Sequence, residues 1–102
     1  MDPFKPWQPK PRSPTPAALD AEAAQAVALQ AIAFIAGDDE LLPRFVALSG
    51  CGLDDLKARI ADPRFLGGVL DFVLADEPTL LAFAQSTGLA PETPMAARAK
   101  LP

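Results

Sequence analysis

Apolar residues recur along this chain three and four positions apart, and short stretches of Asp, Gly and Pro separate the groups. Spacing of that kind puts apolar side chains on one face of an α-helix. The first group predicts a helix capped by Thr15, with Pro16 at its first position, running to Ala36 and stopped by Gly37. Its second half, Val27 to Ala36, is apolar almost all round, the pattern of a helix inside a protein. A second helix is expected from Asp38 or Asp39 to Gly50, with Leu41, Leu42, Phe45 and Leu48 facing inward. Pro43 then falls in its first turn, where a missing N–H costs little. A third helix spans Leu53 to Ala61, with Leu53, Leu56 and Ile60 inside. Asp62 and Pro63 cap and open a fourth that reaches Leu74 and is again apolar nearly all round. Asp76 caps a fifth that ends at Gly88, with Leu80, Leu81 and Phe83 turned inward. A sixth, Pro91 to Lys100, is weaker and frays. Nowhere does a period of two persist long enough for a strand. The expected fold class is all-α, a compact bundle of about five to six short helices.

The pattern breaks down at the N-terminus. Residues 1–16 hold six of the twelve prolines and carry three bases against one acid. Proline lacks the donor that helix and sheet need, so residues 1–15 read as a disordered, basic tail. Residues 16–102 read as a single helical domain. Beyond Pro16 the chain holds twelve acids and six bases, a net charge of −6. Such a domain repels phosphate backbones, which argues against nucleic acid as its partner. The chain has no His and one Cys, so the commonest acid/base and metal ligand is missing and no internal disulfide can form. The apolar run Ala23–Ala36 follows a basic segment, as in a secretory signal, but Asp20 and Glu22 sit directly before it, where such a signal keeps positive charge. The run is also short of the ~20 residues that cross a bilayer. A cytoplasmic protein without membrane partners is expected.

Shifted by 38 residues, the chain matches itself: Val27–Gly50 falls on Phe65–Gly88. Phe34 meets Phe72, Asp38 meets Asp76, Leu42 meets Leu80, Phe45 meets Phe83 and Gly50 meets Gly88. The identities fall on core aromatics, an N-cap and a C-terminal glycine, the positions a shared helix–turn–helix unit needs. The expectation is a duplicated three-helix unit, residues 16–61 and 62–102, closed around the first and fourth helices. The pair Gly67-Gly68 would let another helix approach the fourth, and local kinking is the alternative.

Candidate chemistry is thin. Asp38-Asp39-Glu40, Asp54-Asp55 and Asp76-Glu77 could bind cations, but each stands at a helix start, where acids cap backbone donors and oppose the dipole. Asp71 is the odd acid, midway along an apolar helix. It is either a functional carboxylate paired with Arg44 or Arg64, or the solvated edge of that helix. Gln30 is the comparable polar residue of the first helix, although Asp71 falls opposite Ala33 in the repeat. Cys51 lies between two glycines without a base to activate it, and reads as a tucked-in small residue. In the tail, Phe4 and Trp7 stand among prolines and bases. Disordered tails seldom keep Trp without a contact, so a partner or the chain's own acidic domain is the expected dock.

The stretches Leu29–Ala36, Arg44–Gly50, Asp62–Leu66 and Val69–Glu77 resemble the DUF3572 family, small alphaproteobacterial helical proteins of unknown function. The tail and Gly67-Gly68 depart from that pattern. The resemblance implies a bacterial cytoplasmic protein of about this length and no activity, cofactor or catalytic residue. It also implies a signalling protein as one candidate partner, since genes of this kind neighbour one for a single-domain response regulator.

Together these observations favour a non-enzymatic interaction module, an adaptor or regulator, with Phe4, Trp7 and Asp71 as partner-binding candidates and a homodimer as one mode of assembly. No catalytic, cofactor or metal residue is assigned. The alternatives are a nucleic-acid-associated protein using the basic tail, and a small enzyme with an acid site around Asp71.

Overall fold

The computed structural model describes residues 19–102. Six α-helices follow one another: α1 Ala21–Ala36, α2 Leu41–Ser49, α3 Leu53–Arg59, α4 Pro63–Leu74, α5 Glu77–Thr87 and α6 Glu92–Ala99. There is no strand among the described residues, and the all-α reading holds. No described helix is long and apolar enough to cross a membrane.

Local chemistry places most boundaries. Asp62 accepts from the Arg64 N–H and Pro63 opens α4. Asp76 accepts from the Thr79 N–H at the head of α5. Gly50 and Gly88 close α2 and α5 with φ of 70° and 74°, a left-handed backbone that strains any side chain but hydrogen. Two starts differ from expectation. Asp20, not Thr15, caps α1 by accepting from the Ala23 N–H, and Leu19 before it is already non-helical. Thr15 and Pro16 themselves lie outside the described residues. In α2, Asp38 Oδ1 takes both the Glu40 and the Leu41 N–H, so 39–40 form a turn and the helix begins at Leu41.

The core forms where α1 and α4 pack on each other and on α6, with α2 laid on α1 and α5 on α4. Val27, Ala31, Ile35, Leu66, Val69, Leu70, Val73 and Phe83 are buried together there. Neither central helix is enclosed all round: Leu29, Gln30 and Ala33 of α1 and Gly68 and Asp71 of α4 face solvent. Four short helices cannot surround two others. The inner faces of α2 and α5 are also narrower than expected, since Leu48 is 76% exposed and Leu81 49%. Ile60 is exposed as well, while Leu56 is half-buried against the core. The last helix is a firmer element than its sequence suggests: Thr93, Pro94 and Ala97 are buried, and Leu101 follows them inward.

Hydrogen bonds recur at the 38-residue offset. Gly37 N–H donates to the Ala33 carbonyl and Ala75 N–H to that of Asp71. Leu42 donates to the Asp38 carbonyl at 3.0 Å and Leu80 to that of Asp76 at 3.0 Å. The Ser49 hydroxyl donates to the Phe45 carbonyl and the Thr87 hydroxyl to that of Phe83, both at 2.7 Å. The third helices sit differently. α6 packs against α1 and α4, whereas α3 lies at the edge of the bundle.

Candidate functional site

An open groove of about 470 Å³ runs between α2 and α4. Its base is Phe45, which α2 buries, and Val69, which α4 buries. Phe65 and Phe72 form the walls: each meets Phe45 edge to face, with ring centroids 6.1 and 5.3 Å away. Such tilted pairs align ring edges with ring faces and hold the three rings in fixed orientation. Leu48 stands on the lip, Gly68 leaves a gap in the floor, and Ser49, Arg64 and Asp71 complete the lining.

The rim is basic. Arg44 lies over Phe72, with its guanidinium carbon 5.8 Å from the ring centroid, and Arg59 lies over Phe65 at 6.0 Å. Each guanidinium faces the negative side of a ring. Arg64 is exposed on the groove wall. Asp71 meets neither Arg44 nor Arg64, the partners its position suggested. Its Oδ1 accepts from Arg98 Nε at 2.8 Å, across from α6, and its side chain is 59% exposed. Asp71 thus lies on the solvated edge of α4, paired with Arg98. Arg98 also donates to the Leu101 and Pro102 carbonyls. The pair thus ties the chain after α6 to the middle of α4.

The two adjacent glycines of α4 differ. A Cβ on Gly67 would stand 2.9 Å from the Pro102 carbonyl oxygen and 3.0 Å from Arg98, so only glycine fits there without a shift. The close approach expected of this pair is real at Gly67, and it involves Arg98 of α6 together with Pro102 after it. A Cβ on Gly68 would meet nothing within 4 Å. Packing does not require this second glycine.

The remaining candidates fall elsewhere. Asp38, Asp62 and Asp76 cap helices, and Asp54 and Asp55 stand in the first turn of α3. Thr79 donates its hydroxyl as well as its N–H to Asp76 Oδ2, which holds that carboxyl below its ordinary value. Among the described residues no group of His, Cys, Asp and Glu could hold a metal ion. Cys51 is buried and free, its Sγ donating to the Gly52 carbonyl. Gln30 is exposed on α1. Phe4 and Trp7 lie outside the described residues. The groove residues Leu48, Phe65, Gly68 and Phe72 were not legible as a site, because helical periodicity assigns all three apolar ones to the core.

Fold and groove define a small helical bundle with an open aromatic face. The chain belongs to the family described as Protein of unknown function (DUF3572), whose model matches residues 21–102. No curated protein and no solved structure matches it.

Proposed function

We propose that this chain is a non-enzymatic protein-interaction module, an adaptor or regulator of the bacterial cytoplasm, which binds its partner through the α2/α4 groove. The observation that carries the reading is Gly68. A glycine inside a helix costs about 1 kcal/mol relative to Ala, and nothing near Gly68 asks for it. Its effect is to keep the floor of an apolar trough open between Phe65 and Phe72. Sequences depart from their local optimum chiefly where function needs it.

The repeat supplies an internal comparison. The surface between α1 and α5 corresponds to the groove at the 38-residue offset, and there Gln30 stands for Gly68, Ser86 for Leu48, Ala82 for Arg44 and Ala26 for Arg64. The equivalent pair of helices is therefore built without an apolar lip, a glycine floor or a basic rim. Those features are additions to one of two related surfaces. An exposed apolar trough with polar edges is the usual form of a protein contact. The free, buried Cys51 suits a reducing compartment.

The test is to tag the full chain in its own host and identify what co-purifies with the wild type, with Leu48→Asp and with residues 1–16 deleted. Leu48 is exposed, so the substitution leaves the core alone. A specific partner held by the wild type and lost with Leu48→Asp supports the reading. A partner set unchanged by Leu48→Asp contradicts it.

A further inference from the structure

We infer that the occupant of the groove is an acidic amphipathic helix of a partner protein, its bulky apolar side chains seated between α2 and α4 and its carboxylates against the arginines. The inference rests on the interaction-module reading and adds the chemistry of the partner.

Shape points to a helix. Phe65 and Phe72 are seven residues apart on α4, about 10 Å at 1.5 Å per residue. A helical ligand with anchors at i, i+3 or i+4, and i+7 presents apolar side chains over the same two turns. The trough is also too open for a small molecule. Binding pockets cover about 70–90% of a small ligand, whereas Leu48, Arg64, Gly68 and Asp71 around this one all face solvent. A macromolecular partner brings its own cover.

Charge points to acids. Arg64 lines the groove, Arg44 and Arg59 lie over the rings of its walls Phe72 and Phe65, and among the described residues none of the three lies within 4 Å of a carboxylate. The one carboxylate lining the trough, Asp71, is already paired with Arg98. Three guanidinium groups with no ion-pair partner among the described residues thus stand beside this groove, on a chain whose net charge is −4. The same charges disfavour two other occupants. A second copy related by a two-fold axis would set two arginine rims against each other, and like charges across an interface are repulsive. The tail, with Lys5, Lys10 and Arg12, would bring three more bases to a basic rim.

The probe is a fluorescein-labelled amphipathic peptide of about 16 residues, long enough to be helical in part, with Leu, Phe and Leu at i, i+4 and i+7 and glutamates flanking them. A second peptide carries lysines in place of the glutamates. Both are titrated into the full chain, into Gly68→Leu, which fills the trough, and into Arg59→Glu/Arg64→Glu. The glutamate peptide is expected to bind the wild type at least about tenfold more tightly than the lysine peptide, and to weaken as salt rises. Gly68→Leu should abolish binding, and Arg59→Glu/Arg64→Glu should reverse the preference. Equal binding of both peptides, lost with Gly68→Leu, overturns the acidic partner and leaves the groove as an interaction site. Binding of neither peptide overturns the helical occupant, and the co-purification with Leu48→Asp then decides the wider reading by itself. A dimer that Gly68→Leu dissociates in sedimentation, or peptide binding that appears only when residues 1–16 are removed, would assign the groove to a second copy or to the tail and overturn the inference.

Discussion

Phe34 of α1 packs against Phe83 of α5 with ring centroids 5.5 Å apart. The relation recurs with the halves exchanged, Phe72 of α4 meeting Phe45 of α2 at 5.3 Å. Since Phe34 corresponds to Phe72 and Phe45 to Phe83, each hairpin lends one ring to the other. This is the pattern of an isologous contact, the kind found between identical subunits about a two-fold axis, here within one chain. Phe83 has no exposed surface. Phe83→Ala should therefore cost about 3–5 kcal/mol, comparable to the whole stability of a small domain. Urea denaturation should find the variant largely unfolded. Phe72→Ala, at a half-buried site, should remain folded with a lowered midpoint.

The neighbouring glycines of α4 should respond with opposite signs. Gly68→Ala gains helix propensity and meets no neighbour, so it should stabilise by up to about 1 kcal/mol. That is roughly 4–8 °C in Tm for a domain of this size. Gly67→Ala gains the same propensity but presses a methyl group onto the Pro102 carbonyl and Arg98. It should lower Tm. Thermal melts of the two variants beside the wild type check both signs.

Asp76 makes acid stability legible at one residue. The Thr79 hydroxyl lowers its pKa from the ordinary 3.8. A carboxyl lowered on folding contributes stability that is complete above the unfolded pKa and is lost as pH falls through the lower folded value. Thr79→Val removes the main cause. The Asp76 pKa, followed by NMR titration, should rise in that variant, and the stability difference from wild type should shrink as pH drops below about 4. A stability difference that grows on acidification would reverse the assigned sign.

The Asp71–Arg98 pair should matter little for stability. Partly exposed ion pairs contribute roughly 0–1 kcal/mol and are screened by salt. Asp71→Asn should shift the urea midpoint slightly at low salt and less at high salt. The same variant tests the acid-site alternative, because an enzyme dependent on Asp71 would lose its activity while the fold persists.

Which parts of this protein were readable in its sequence follows from the range of the interactions involved. Asp62, Asp76, Gly50 and Gly88 mark helix ends through bonds to residues two to four positions away, and such local chemistry shows in the chain order. The order Thr15-Pro16 pointed to a cap there, yet α1 is capped by Asp20, because a cap signal in the chain order does not say which turn the packing keeps. Leu48 and Leu81 sit at helical spacing from core residues, yet the bundle leaves no neighbour to cover them. Asp71 finds Arg98 across 27 positions, a contact that no periodicity announces. The groove had one faint signal, the mismatches within the repeat: Leu48 against Ser86, Gly68 against Gln30, Arg44 against Ala82. Identities in the repeat marked what the fold needs, and the differences marked what it does not.

The open trough beside Gly68 is the proposed place at which this protein is recognised. Gly68→Leu tests it most directly, with Tm and partner capture measured on the same preparation. A Tm equal to or above that of the wild type is expected, together with loss of the specific partner. A variant that is stable, has its trough filled and still holds the same partner would contradict it.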